Sequence, residues 1–186
     1  MASQSELLFH HLLRDFGRPA PTDRARRQLL DSLAQRKLLT NGTSALVLLA
    51  PPEFVAELVV RGASVTTVEP LEDLLEQARR RLTGMTATVH WVRRDPHRLP
   101  FRRAFDLILG MGLVLGTSGN EAEDQEFLRS LASALRPGGT LVLDLPNREL
   151  LVREFVERFW AELDGLRVLV RQNWDVPTGI VQLEWH

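Results

Sequence analysis

The sequence predicts an α/β protein: one doubly wound, mostly parallel sheet, with two helices ahead of it and a β-hairpin at its C-terminal end. Three observations predict this. The stretch from Ser44 to Pro70, SALVLLAPPEFVAELVVRGASVTTVEP, reads as a buried strand (Ala45 to Leu49), a tight turn at Pro51-Pro52, an apolar helix (Glu53 to Arg61) and a second strand (Ser64 to Val68) ending on Glu69. Strand, helix and strand at this spacing make a βαβ unit, because two parallel neighbours need a crossover between them. Further strand patterns then alternate with helical ones as far as Leu145, which argues for helices on both faces of the sheet. Finally, LRVLVRQNW and GIVQLEW flank DVPTG, the signature of an antiparallel hairpin.

The elements follow in order. In SELLFHHLLRDF, residues 5 to 16, Leu8, Leu12 and Leu13 share a face that Phe9 and Phe16 widen, so the spacing predicts an amphipathic helix. Gly17, Pro19 and Pro21 stop it, and Thr22 caps a second helix running to about Leu39. Asn41-Gly42 turns the chain into the first strand. After Glu69, LEDLLEQARRRL is a helix, and Thr86 to Val92 alternates like a third strand. Phe105 to Gly112 is apolar enough for a strand buried on both faces. Asn120 to Leu135 is a helix, closed by Arg136-Pro137-Gly138-Gly139 before a fifth strand, Thr140 to Leu145. One more helix is expected over Glu149 to Leu163, and the hairpin follows. A single domain over 1–186 is expected, with an N-terminal helical segment (1–40), a βα core (41–147) and a helix plus hairpin (148–186).

Composition narrows the function classes. A net charge of -1 and a pI near 6.5 give no overall attraction to nucleic acid or to anionic lipid, so neither is expected as a partner. Cysteine is absent, which removes disulfides, thiolate metal sites and cysteine nucleophiles together. His10 and His11 are adjacent and diverge on a helix, so no metal site is expected. No apolar run is long enough to cross a bilayer, and the N-terminal MASQSE is polar, so a cytoplasmic location is expected. Lys37 is the only lysine among 23 basic residues, a bias that reads as genome composition.

The first strand–turn–helix carries the functional question. In nucleotide-binding α/β folds an acidic residue about twenty positions past the first turn, at the tip of the second strand, grips a ribose, and Glu69 stands there. The same residue also suits the start of the following helix, where a carboxylate favours the dipole. Asp95 before Pro96 is likewise a turn initiator in any protein.

Taken together, the motifs resemble the class I S-adenosylmethionine-dependent methyltransferases, with their Rossmann-like fold, over roughly residues 40 to 185. ALRPGGTLVLDL (Ala134 to Leu145) is similar to that family's helix, Arg/Lys-Pro-Gly-Gly turn and fifth strand. VVRGASVTTVEPLEDLLEQAR (Val59 to Arg79) and RRDPHRLPFRRAFDLIL (Arg93 to Leu109) resemble its second and third motif regions, and NRELLVREF with the hairpin resembles a small-molecule-type subgroup. The resemblance implies S-adenosylmethionine as cofactor and places Ala50, Glu69, Pro70, Asp95, Pro96, Gly110 and Met111 around it. Glu69 would hold the ribose hydroxyls, Asp95 would face the adenine amino group with Pro96 or His97 beside the ring, and Gly110, Met111 and Gly112 would lie near the sulfonium. No catalytic residue is implied.

Two departures stand out. The family's glycine-rich loop after strand one is Ala50-Pro51-Pro52-Glu53 here, and counting back without gaps from Arg61-Gly62 puts its glycines on Leu48, Ala50 and Pro52. Side chains fill space the ligand needs, and each proline removes an N–H donor. The family also continues past such a hairpin into two further strands, so an open edge at strand four or five is expected here. Homodimerisation through that edge, or its covering by the hairpin, would protect it. The expectation is therefore a methyltransferase-fold protein that has lost standard cofactor binding and acts as a non-catalytic binding or partner subunit, toward a small-molecule ligand or a protein. The alternative is an active methyltransferase on a small molecule with an atypical loop.

Overall fold

The computed structural model describes residues 23–84, 88–111, 114–117, 119–145, 147–163 and 166–185, and these form two compact units, 1–145 and 146–186. In the first unit, α1 (Asp23–Gln35) precedes β1 (Ser44–Leu48), α2 (Pro52–Val60), β2 (Ser64–Glu69), α3 (Glu72–Arg81), β3 (Val89–Arg93), β4 (Phe105–Gly110), α4 (Glu121–Ala134) and β5 (Leu135–Leu143). The five strands are parallel, in the order β3-β2-β1-β4-β5, as the alternating pattern predicts. The helix expected over residues 5 to 16 lies outside the described residues. The second expected helix is shorter than its pattern and ends at Gln35, and Lys37 just beyond it takes a φ of +60°.

Each face of the sheet carries its own apolar cluster, and the central strands alternate between them as strand geometry requires. Ala45 and Val47 of β1 join Leu30, Leu33, Phe54, Val55 and Leu58 on the α1/α2 face. Leu46 and Leu48 join Ile108, Phe127, Leu131 and Ala134 on the α4 face. Burial on both faces is why β1 and β4 read as near-continuous apolar runs. Pro52 opens the first turn of α2, where its missing N–H costs nothing. At α4, the Asn120 side chain accepts a hydrogen bond from Ala122 N at 3.0 Å.

The Arg-Pro-Gly-Gly segment is a bulge in β5 rather than a turn ahead of it. Phe105 pairs with Leu135 and Leu107 with Thr140, so residues 136–139 loop out between two ladder positions. Gly138 has a φ of +81°, and a side chain on Gly139 would stand 3.0 Å from the Arg136 carbonyl oxygen. From this bulge Arg136 Nη1 reaches both oxygens of Asp106, at 2.8 and 2.9 Å.

The second unit contains α5 (Arg148–Arg153), β6 (Arg158–Leu163), β7 (Leu166–Asp175) and β8 (Ile180–Trp185), the strands forming an antiparallel sheet in the order β6-β7-β8. The hairpin is present between β7 and β8, with Asp175 and Thr178 tying its turn through a 2.6 Å hydrogen bond. The helix expected over Glu149 to Leu163 is not: it stops at Arg153, and Arg158–Leu163 is a strand. Its residues pair along their whole length with β7, a non-local partner that helical periodicity does not register. The first sheet has β3 and β5 as its outer strands; β4 lies inside, between β1 and β5, and β6, β7 and β8 pair among themselves.

Candidate functional site

Open α/β sheets bind ligands at the carboxyl ends of their strands, and β1, β2 and β4 bring most of the expected residues there. Glu69 closes β2 and is only 7% exposed. Its Oε1 accepts a hydrogen bond from Leu71 N at 3.3 Å, just ahead of α3. The carboxylate thus serves the helix start that Pro70 leads into. Thr67 and Glu69 are two residues apart on β2, and Trp91 pairs with Thr67 across the β2–β3 ladder, so the three share one face. With Ala50, Pro52, Val55 and Gln77 they line a notch of about 20 Å³. The indole Nε1 of Trp91 is buried there without a protein partner. Thr67, Gln77 and Trp91 were not among the residues read from sequence, although the period-two alternation leading to Glu69 points to the first and, through register, to the third.

The loop after β1 is where the chain is most unusual. Leu49 has a φ of +52° and is buried, 4% exposed. That left-handed conformation is one glycine adopts freely and a branched side chain resists. The turn at the mouth of β1 therefore holds a leucine in a conformation that suits glycine. The Leu49 side chain lies in the same cluster as Val68, Ile108 and Val114, on the α4 face of the strand ends. Pro51 accepts hydrogen bonds from the Phe54 and Val55 amides at 3.0 and 3.4 Å, so α2 spends its first N–H groups internally.

The remaining expected residues have structural partners. Asp95 Oδ1 accepts from His97 N at 2.9 Å, closing an Asx turn. Pro96 is buried. The His97 ring packs against the buried Phe127 ring, with centroids 4.5 Å apart and planes tilted by 46°. Gly110 has no room for a side chain: a Cβ there would lie 2.7 Å from Leu143 Cδ2 and 2.9 Å from Val114 Cγ2. Met111 is buried, and its amide donates to the Leu48 carbonyl at 3.0 Å. Gly112 lies outside the described residues. Ala50 and Glu69 thus share the notch, Gly110 and Met111 finish β4, and Asp95 and Pro96 form a separate turn past β3.

Residues 52–139 match the profile of a family described as a methyltransferase domain. That stretch of the chain is similar to a methyltransferase domain. No curated protein matches it in sequence. Among solved structures it is similar to an S-adenosylmethionine-dependent methyltransferase from Clostridium acetobutylicum, at 14% identity and a TM-score of 0.69, over 98% of this chain and 80% of that one. The CcbJ methyltransferase from Streptomyces caelestis matches at 18% identity and a TM-score of 0.65, over 96% and 77%. The [4+2]-cyclase SpnF matches at 24% identity and a TM-score of 0.54, over 64% of this chain and 44% of its own. Such likenesses carry the fold. The chain spans under half the length of some of the structures it matches.

The methyltransferase family implies an adenosyl cofactor, and the residues present fit it unevenly. Glu69, at the tip of β2, is the acid to which the resemblance assigns the ribose hydroxyls. The loop does not fit: every position from Leu49 to Pro52 carries a side chain, and two of the four lack an N–H. The notch that described residues line beside Glu69 measures about 20 Å³, room for about one water molecule. Among the described residues no group of three or more His, Asp or Glu side chains is placed to hold a metal ion, and no helix is long and apolar enough to cross a membrane.

Proposed function

We propose that this protein is a methyltransferase-fold subunit that no longer takes S-adenosylmethionine in the standard way and works by binding, either to a protein partner or to a small molecule. The observation that carries this reading is Leu49: a buried leucine, held in glycine's backbone conformation, where the cofactor loop would open. A left-handed leucine costs about 1–2 kcal/mol, so the conformation is held by its surroundings. The prolines that follow remove donors an anionic or polar ligand would use. The fold itself does not tie the chain to methyl transfer, since a [4+2]-cyclase shares it.

A second reading, an active methyltransferase on a small molecule, draws on the family match over 52–139 and on Glu69. It needs the loop to move, because methyl transfer depends on holding nucleophile and sulfonium in line more than on any protein group.

Thermal unfolding of the full chain with and without S-adenosylmethionine and S-adenosylhomocysteine separates the two. A ligand specific for the native state, at a hundredfold excess over Kd, stabilises it by about 2.7 kcal/mol. An unchanged midpoint at saturating ligand supports the binding-subunit reading; a dose-dependent rise supports the enzyme.

A further inference from the structure

We infer that the protein forms a symmetric dimer in which β6 pairs antiparallel with β6 of a second copy, continuing the C-terminal sheet across a two-fold axis. This inference rests on the second unit alone and is independent of cofactor binding.

Among the described residues β6 is an end strand of its sheet and pairs only with β7. Such an edge is a template for another chain unless something blunts it. Here it carries Trp160, 65% exposed, opposite Leu169 on β7. A tryptophan presented this way is a common anchor of protein contacts.

Backbone parity decides which residues an added strand would meet. Gln172 N donates to the Glu157 carbonyl at 2.7 Å, so residue 157 turns its peptide groups toward β7. In an antiparallel ladder the alternate residues turn theirs the other way. Arg158, Trp160 and Glu162 therefore present N–H and C=O to the outer edge. An added β6 must bond through those same residues, so the two-fold axis passes through one of them or between two.

Charge then selects the register. With the axis at Trp160, Trp160 faces its own copy, and Arg158 of each strand stands opposite Glu162 of the other. Shifting the axis toward either end sets Arg158 against Arg158 or Glu162 against Glu162, or pairs a charge with the tryptophan. The segment Arg-Phe-Trp-Ala-Glu is thus complementary to itself when run antiparallel, which an isologous interface demands.

Within one chain the same strand carries a mismatch. Arg158 sits directly opposite Arg171 on β7, and like charges in such pairs are unfavourable. The Glu157 carboxylate lies between them, 3.6 Å from Arg158 Nε and 3.9 Å from Arg171 Nε, and Glu184 adds a contact to Arg171 at 3.8 Å. A glutamate from the second copy would give Arg158 a carboxylate of its own.

The test is light scattering on the eluting full chain and two charge-reversal variants, Arg158→Glu and Glu162→Arg. The wild type is expected at twice its 21.1 kDa mass and each variant at the single-chain mass. An equimolar mixture of the two variants is expected to recover the doubled mass, because each strand then meets the opposite charge at both pairs. Recovery on mixing also shows that both variants are folded. A single-chain wild type, variants that remain dimeric alone, or a mixture that stays at the single-chain mass beside a dimeric wild type would each overturn the proposal.

Discussion

The Glu69 carboxylate accepts a hydrogen bond from the Leu71 amide at 3.3 Å, so the acid that marks the tip of β2 is already engaged by the chain's own backbone. Buried and serving the start of α3, it has a structural role whether or not a sugar ever meets it. Removing the acceptor leaves a backbone N–H short of a partner, at a cost of about 1–3 kcal/mol. Glu69→Ala is expected to lower stability by that amount, and Glu69→Gln, which keeps an oxygen in place, by distinctly less. Denaturant unfolding of the two variants measures the difference.

Leu49 gives an inverted substitution order. At an ordinary buried position, leucine to alanine costs about 2–5 kcal/mol and glycine costs more still. At a φ of +52°, glycine alone escapes the left-handed penalty of about 1–2 kcal/mol. Leu49→Gly should therefore unfold at higher denaturant concentration than Leu49→Ala, with both below the wild type. The usual order, alanine above glycine, would remove the strain argument.

Gly110 is needed for packing. The stiff Val114 side chain would stand 2.9 Å from an added methyl, and Leu143 would have to turn away as well. Overpacking of this kind costs about 1–3 kcal/mol. Gly110→Ala should lose stability in that range, read from a shift in the unfolding midpoint.

Asp106 supplies a pH signature. The backbone amide of Ser44, then the Arg136 guanidinium, hold its carboxyl below the usual aspartate range. A depressed folded-state pKa means the unfolded chain takes up the proton first. The stability Asp106 contributes is therefore full above the ordinary carboxylate range and is lost as pH falls through the folded value. Because the side chain is 40% exposed, solvent screening keeps the contribution small. The stability gap between wild type and Asp106→Asn should be largest near neutral pH and shrink below about pH 4. A gap that widened on acidification would reverse the assignment.

The alternation of strands and helices was legible in the sequence because each apolar run feeds a cluster on one or both faces, and Ala45 to Leu48 show both periodicities at once. What the sequence hid depends on partners far along the chain. Arg158–Leu163 carries a helical pattern of its own and becomes a strand only because β7 is there to pair with it. The bulge at Arg136–Gly139 looks like a simple turn until Asp106, thirty residues earlier, is placed beside it. The left-handed backbone at Leu49 gives no signal at all, since leucine is the wrong residue to suggest it. At the candidate site, Glu69 and Ala50 could be read in advance, whereas the closeness of Trp91 and Thr67 needed the β2–β3 register.

The most direct test is isothermal titration calorimetry of the full chain with S-adenosylhomocysteine. The binding-subunit reading predicts heats of dilution only. A saturable one-to-one isotherm, weakened by Glu69→Ala, would contradict it and place an adenosyl ligand beside Glu69 despite Leu49 and the two prolines.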